Sequence, residues 1–171
     1  YRRRLACTGR RVTAPRQSGR ALLDVNVLIA LAWPNHEGHA AAREWFEHES
    51  KRGWATSPVT ETGFVRVSSN RRALTTATTP QRAVEMLEQL TTLPGHMFWP
   101  DSISLVTGGH IDLPRLSGHR QVTDAHLVAL CRAHDAQLVT FDQAVWELAP
   151  PGEDVTHVLY AGRAAARTDP S

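Results

Sequence analysis

Short, continuously apolar segments alternate with helical segments along most of this chain, and this alternation most strongly constrains its fold. Apolar runs of this kind are typical of strands that are buried on both faces of a sheet. Parallel strands need long crossover connections, which the intervening helices provide. The pattern therefore predicts an α/β protein: a three-layer α/β/α sandwich with a mostly parallel sheet of about five strands.

The predicted elements follow from apolar periodicity and from helix-start signals. Ser57–Pro58 and Thr79–Pro80 each place a capping hydroxyl before a proline, which marks the start of a helix. The predicted strands are 21–24, 54–56, 97–99, 137–140 and 155–160. The predicted helices are 27–33, 36–50, 58–69, 80–93, one that opens at Thr123, and 141–148. Residues 102–121 lack periodicity and are predicted to be irregular.

Length and composition exclude several classes of protein. A chain of 171 residues, 42% hydrophobic and 21% charged, corresponds to about one globular domain. Two cysteines cannot build a disulfide-rich scaffold, so we expect a reducing, cytoplasmic location. The longest purely apolar run, 27–33, is too short to span a bilayer.

The basic residues are concentrated at the start of the chain. Residues 1–20 contain seven arginines and no acid, whereas the rest holds 12 basic and 17 acidic side chains. We predict a disordered arginine-rich extension over 1–19, a nuclease-like domain over 20–162 and a disordered tail over 163–171. An RNA-binding arm and a transit-type presequence are alternative interpretations of the extension. Because the body is acidic, overall basicity is poor evidence for nucleic-acid binding.

Four acids are predicted to meet at one edge of the sheet. Asp24 and Asp142 follow the first and fourth strands, and the carboxyl ends of parallel strands share one edge. Asp124 and Glu61 lie near helix starts, on the apolar stripes of their helices. Each acid alone has a simpler explanation as a cap, a turn residue or a solvent-exposed side chain. Together they suggest one acidic pocket.

Such a pocket needs positive charge. Two carboxylates about 5 Å apart repel by about 3 kcal/mol at an effective dielectric constant of about 20. Arg66 and Arg120 are the nearest candidates in sequence, but Mg²⁺ or Mn²⁺ suits carboxylate oxygens better and would serve phosphate chemistry. Asn26 and Thr140, next to the acids in sequence, could hold the ligands or the substrate.

Four segments resemble the signature blocks of PIN-domain ribonucleases, in particular VapC-type toxins of bacterial toxin–antitoxin pairs. The segments are LLDVNVLI (22–29), PVTETGFVR (58–66), VTDAHL (122–127) and TFD (140–142), in the family's order. Val25 departs mildly from the family pattern, which often has Thr there. The resemblance spans about residues 20–160 and leaves out the arginine-rich extension.

The resemblance implies an α/β/α sandwich that cuts RNA endonucleolytically with Mg²⁺ or Mn²⁺. It implies that the four acids are the catalytic and metal-binding site, that the protein dimerises, and that a cognate antitoxin inhibits it. The acids are Asp24, Glu61, Asp124 and Asp142. An approach path for RNA could be lined by Arg43, Arg66, Arg71, Arg72 and Arg120.

Two other functions remain as alternatives. A PIN-like module could bind RNA or a partner without cutting, although the presence of all four acids argues against this. A haloacid-dehalogenase-type phosphatase also has an Asp after its first strand. That class needs a second Asp two residues on, where this chain has Asn26, and usually a lysine, of which Lys51 is the only one here.

Overall fold

A parallel sheet forms the centre of the protein. The computed structural model describes residues 19–161. The strands are β1 (Ala21–Leu23), β2 (Trp54–Thr56), β3 (His96–Phe98), β4 (Gln137–Thr140) and β5 (Thr156–Val158). They lie in the order β3-β2-β1-β4-β5, and every neighbouring pair is parallel. The predicted mostly parallel, five-stranded sheet is confirmed.

Five α-helices connect the strands. They are α1 (Val25–Ala32), α2 (His39–Glu49), α3 (Pro58–Ser68), α4 (Pro80–Thr91) and α5 (Gln121–Ala133). Short 3-10 turns cover Ser50–Arg52, Leu113–Arg115 and Gln143–Leu148. The predicted starts of α3 and α4 are confirmed, because the Ser57 hydroxyl accepts from the Thr60 N–H and the Thr79 hydroxyl from the Arg82 N–H.

The sheet separates two apolar cores. Leu23, Trp54 and Phe64 are fully buried in the core that β1 and β2 share with α1 to α4. Leu22 and Leu138 are fully buried in the core on the opposite face, against α5. Successive residues of a strand point to opposite faces, so Leu22 and Leu23 enter different cores. This arrangement is the predicted three-layer sandwich.

Several predicted boundaries were wrong by a few residues. Helix α1 begins at Val25 rather than at residue 27, because the Asp24 carboxylate accepts from the Val25 N–H and caps the helix. Helix α5 begins at Gln121 rather than Thr123. The predicted helix over 141–148 is a 3-10 helix that begins only at Gln143, and Asp142 caps it by accepting from the Ala144 N–H. The ends of α2, α4, β3 and β5 also differ by up to a few residues.

The remaining predictions concern the loops and termini. The predicted extension over 1–19, apart from Gly19, and the predicted tail over 163–171 lie outside the described residues. Residues 102–120 are irregular as predicted, except for the turn Leu113–Arg115, and Ile103 is buried against the α5 core. Of the helices between residues 19 and 161, none combines the length and apolar character that crossing a bilayer requires.

Candidate active site

The carboxyl ends of β1 and β4 bring the first predicted site residues together. Leu23 pairs with Val139, and the next N–H along the chain, that of Asp24, donates to the Val139 carbonyl at 3.0 Å. Asp24 therefore stands beside Thr140, the last residue of β4. The parallel register thus brings the ends of β1 and β4 together at one edge of the sheet, as the sequence predicts.

Asp24 is a buried carboxylate that accepts three hydrogen bonds. Its Oδ1 accepts from the Val25 N–H at 2.6 Å, and its Oδ2 accepts from Asn26 Nδ2 and Thr140 Oγ1, both at 2.7 Å. The side chain is almost fully buried. Burial raises the pKa of Asp24, and the hydrogen bonds from Thr140, Val25 and Asn26 oppose that rise.

Asn26 and Thr140 join Asp24 to the loop that carries Asp142. The Thr140 hydroxyl accepts from Asn26 Nδ2 at 2.9 Å and from the Asp142 N–H at 3.0 Å. The Asn26 carbonyl oxygen accepts from the Phe141 N–H at 3.2 Å. These two residues thus lie where the sequence suggested supporting groups, and they hold the β4 loop against β1.

Asp124 and Asp142 complete a cluster of three aspartates. Asp124 lies in the first turn of α5 and is half-buried, whereas Asp142 is exposed. Burial, followed by the charges of Asp24 and Asp142, raises the pKa of Asp124 from 3.8 to about 6. The charge of Asp142 also contributes to the raised pKa of Asp24. The three carboxylates are therefore close enough to repel one another.

Glu61 is held by a separate chain of hydrogen bonds. Its Oε1 accepts from Thr56 Oγ1 at 2.7 Å, and Thr56 Oγ1 lies 2.9 Å from His96 Nε2. A carboxylate only accepts, so the single hydroxyl hydrogen of Thr56 goes to Glu61 and His96 Nε2 must donate. Burial lowers the pKa of His96, which favours the neutral ring, and the contact with Thr56 requires the ring hydrogen to be on Nε2.

A close contact between helices brings Glu61 towards the aspartates. Gly63 lies in α3 where a Cβ would approach Val25 Cγ2 to 2.4 Å, so α1 and α3 pack tightly just past Asp24 and Glu61. Glu61 is nevertheless not among the groups that shift the pKa of Asp24 or Asp124. The structure clusters three of the four predicted acids, and the fourth, Glu61, lies in the first turn of the neighbouring helix α3.

Sequence reasoning missed Thr56 and His96. They are 40 residues apart, and only the pairing of β2 with β3 makes them neighbours. Thr56 is fully buried at the end of a strand, where a polar residue in an apolar run was the available signal.

The donor set suits a divalent cation. All four predicted ligands are carboxylates, which Mg²⁺ and Mn²⁺ prefer, and the mutual repulsion at Asp124 marks a place where positive charge would be favourable. Within residues 19–161, no three His, Cys, Asp or Glu side chains lie close enough together to enclose an ion. Nor does a described arginine form an ion pair with Asp24, Asp124 or Asp142.

The predicted RNA-facing arginines are all exposed. This group consists of Arg43, Arg66, Arg71, Arg72 and Arg120. Arg43 forms an ion pair with Glu47 one helical turn away at 2.6 Å. Arg120 immediately precedes α5 and therefore lies one turn before Asp124.

Comparison with known proteins identifies the family. The PIN domain model matches residues 21–149, which includes every residue of the cluster. Ribonuclease VapC39 of Mycobacterium tuberculosis is 53% identical over 132 residues, which cover 77% of this chain and 95% of that protein. The chain is a PIN-domain protein of the VapC family. The predicted family resemblance is confirmed.

Other VapC proteins of the same species share most of the domain. Ribonuclease VapC38 is 50% identical over 75% of this chain and 89% of its own length. Ribonuclease VapC44 is 42% identical over 81% of this chain and 97% of its own length. A solved structure, VapBC2 from Rickettsia felis bound to a DNA fragment from its promoter, has a TM-score of 0.55 at 12% identity. It covers 82% of this chain and 99% of that chain, and shows the fold alone.

Proposed function

We propose that this VapC protein is the toxin of a toxin–antitoxin pair and cuts RNA as a Mg²⁺- or Mn²⁺-dependent endoribonuclease. The observation that carries the proposal is the convergence of Asp24, Asp124 and Asp142. Burial, together with the charges of Asp24 and Asp142, raises the pKa of Asp124 to about 6. The ribonuclease names of its VapC relatives support the choice of RNA as substrate.

Each site residue has a distinct role in this proposal. Asp24, Asp124, Asp142 and Glu61 would hold the cation, which when bound supplies charge neutralisation and an acidified water for phosphodiester hydrolysis. Thr140 and Asn26 donate hydrogen bonds to Asp24, and these bonds favour its ionised, ligating form despite burial. Thr56 does the same for Glu61.

Exposed arginines would guide the RNA to an otherwise acidic body. We assign this role to Arg66, Arg71, Arg72 and Arg120. The double variant Arg71→Glu/Arg72→Glu is expected to weaken RNA binding in a filter or fluorescence assay. Arg52→Glu is a matched control, because Arg52 precedes β2 at the opposite edge of the sheet from the carboxylates. Equal effects of the two charge reversals would reject the assignment.

The partners follow from the same proposal. The solved neighbour is a VapBC pair, so we expect this chain to bind a cognate antitoxin. We also expect it to form a homodimer, as the family resemblance implies. A cytoplasmic location is expected, where both RNA and antitoxin would be met. Light scattering of the purified chain measures the homodimer, and co-purification with a co-expressed antitoxin measures the complex.

Incubation of the purified chain with total bacterial RNA tests the activity. We expect discrete fragments with Mg²⁺ or Mn²⁺, none with EDTA, and none from Asp24→Asn. Asp154→Asn is a matched control, since Asp154 is exposed and lies outside the cluster. RNA binding without cleavage under either metal would instead support a non-cutting PIN-like module, and fragments from Asp24→Asn would mean that the activity comes from another site.

A further inference from the structure

A cleft of about 410 Å³ lies next to the aspartate cluster and has no role in the chemistry described above. It is lined in part by Asn26, His36, Glu37, Phe141, Gln143 and Tyr160. Asn26 follows β1, Phe141 and Gln143 follow β4, and Tyr160 follows β5. The cleft therefore continues the carboxyl edge of the sheet on which the aspartates lie, where ligands of parallel α/β proteins bind.

The cleft and the aspartates are joined through shared residues. Asn26 lines the cleft and also donates to Asp24 at 2.7 Å. Phe141 and Gln143 flank Asp142 in sequence, and the Phe141 N–H donates to Asn26 Oδ1. If one group of a larger ligand binds at the carboxylates, the next group along that ligand would thus lie at the mouth of this cleft.

Aromatic side chains give the cleft flat ring surfaces among its polar lining residues. The rings of His36 and Phe141 have centroids 6.4 Å apart at an angle of 41°. Gly38 supports the Phe141 ring, because a Cβ at this position would come within 2.6 Å of a ring carbon. Tyr160, with 57% of its surface exposed, stands at the rim with its ring available. Such surfaces stack on planar rings.

The charges of the cleft select a base rather than a phosphate. None of its described lining residues is Lys or Arg, Glu37 is among them, and Asp142 is adjacent. A phosphate would be repelled here, whereas a neutral ring would not. The Gln143 amide and the Glu37 carboxylate can meet the polar edge of a base, the carboxylate as an acceptor for its N–H groups.

We propose that this cleft binds one unpaired nucleobase of the RNA, next to the cleaved bond, stacked on Phe141 with Tyr160 at the rim. The proposal rests on the ribonuclease function proposed above and adds to it a determinant of cleavage-site selectivity. Its consequence is that one base position beside the cut contributes to binding through Phe141, separately from the arginines that contact the backbone.

A cycle that changes both protein and RNA tests this contact. The probe is a short oligoribonucleotide that carries a cleavage site mapped in total RNA, with an abasic nucleotide placed in turn on each side of the cut. Phe141→Ala is expected to raise KM by roughly 5- to 150-fold, the range for loss of one stacked base. At one position, the abasic nucleotide should raise the KM of the wild type by the same factor and leave the KM of Phe141→Ala almost unchanged. If the changes in KM caused by the variant and by the abasic nucleotide multiply at every position, the proposal is overturned.

A second variant covers the case in which Phe141→Ala does not fold. Tyr160 is exposed, so Tyr160→Ala should leave the thermal midpoint unchanged while raising KM, and Tyr160→Phe should leave both unchanged. A wild-type KM in Tyr160→Ala, combined with the same KM for intact and abasic RNA, would overturn the subsite.

A binding measurement separates this proposal from the proposed function. A set of short single-stranded RNAs carries 2-aminopurine at one internal position each, moved along the strand, and their fluorescence is followed in EDTA, where no cleavage is expected. Quenching that is seen with the wild type and lost in Phe141→Ala supports the subsite. This holds even if no RNA is cut, because the absence of cleavage would reject only the proposed nuclease activity. Cleavage that depends on Asp24, with no quenching and no effect of Phe141→Ala, would reject only the subsite.

Discussion

The hydroxyl of Thr140 donates a 2.7 Å hydrogen bond to Oδ2 of Asp24, linking the carboxyl ends of β4 and β1 across 116 residues of sequence. The hydroxyl oxygen of Thr140 also accepts from Asn26 Nδ2 and from the backbone N–H of Asp142. A hydroxyl has one hydrogen and two lone pairs, so its bonding capacity is fully used. One buried atom thus positions two members of the aspartate cluster.

Thr140→Val is expected to destabilise the protein and to abolish most of its activity. Valine preserves the shape but leaves the buried Asp24 carboxylate short of one donor, at a cost of about 1–3 kcal/mol in the free energy of unfolding. Urea denaturation measures the cost, and RNA cleavage measures the activity. Thr140→Ser is the matched control because it keeps the hydroxyl. If valine and serine behave alike, the hydroxyl does not organise the site.

Asp124→Asn is expected to stabilise the metal-free protein while abolishing cleavage. The substitution removes one of three mutually repelling carboxylates. We expect a gain of about 1–2 kcal/mol, less than the full pKa difference implies because solvent screens a half-exposed group. For a domain of this size that is a rise of about 2–8 °C in Tm, measured by calorimetry in EDTA. An unchanged or lower Tm would mean that the aspartates do not repel one another in solution.

The same group predicts how stability depends on pH. Asp124 has a pKa of about 6 in the folded protein against 3.8 ordinarily, so between these values the folded state binds more protons than the unfolded state. The free energy of unfolding contributed by this group therefore falls as pH rises from about 4 to about 6 and is constant above that window. The stability difference between wild type and Asp124→Asn, measured in EDTA from pH 4 to 7, should grow in favour of the variant. A difference that is flat across this range would contradict the shifted pKa.

Gly63→Ala is expected to destabilise the protein, although alanine ordinarily favours a helix by about 1 kcal/mol over glycine. The new Cβ would meet Val25 Cγ2 at 2.4 Å and push α3 away from α1, at a cost of about 1–3 kcal/mol. Val25→Ala removes the clash, so the double variant should cost less than the sum of the single ones. Gly118→Ala, where the added Cβ has no heavy atom within 4 Å, serves as the control.

The sequence predicts those parts of this protein whose causes are local or periodic. Strands β2 and β4 have the predicted bounds. Gly53 and Ser57 flank β2, and the apolar run of β4 closes at the polar residue Thr140. The meeting of Asp24 with Asp142 follows from parallel pairing alone. The predicted start of α1 was wrong because the sequence does not show whether Asp24 ends the strand or caps the helix. In the structure its carboxylate accepts from the Val25 N–H, and the helix begins there.

The parts that could not be predicted depend on long-range contacts. The position of Glu61 depends on His96, whose strand β3 is 40 residues from β2, and no local signal links the two. The cleft beside Phe141 likewise needs residues from four separate segments. Residues 102–120 have no periodicity, so their path is set by contacts such as that of Ile103 with the α5 core.

Thr56→Val is expected to lower activity by about 10- to 100-fold, the usual effect of losing a group that holds a metal ligand. Thr56 Oγ1 donates to Glu61 and accepts from His96, so valine frees the carboxylate to rotate away from the site. The readouts are kcat with Mn²⁺ and the Mn²⁺ concentration that gives half-maximal rate, both of which should worsen. Thr56→Ser keeps the hydroxyl and should restore both.

His96→Phe distinguishes positioning from packing in this chain of hydrogen bonds. Phenylalanine keeps a ring against Trp54, whose centroid lies 4.6 Å from that of His96, but removes the N–H that Thr56 accepts. Thr56 can still donate to Glu61, so we expect a smaller loss of activity than in Thr56→Val, with the thermal midpoint nearly unchanged. A larger loss of activity in His96→Phe than in Thr56→Val would mean that His96, rather than Thr56, determines the position of Glu61.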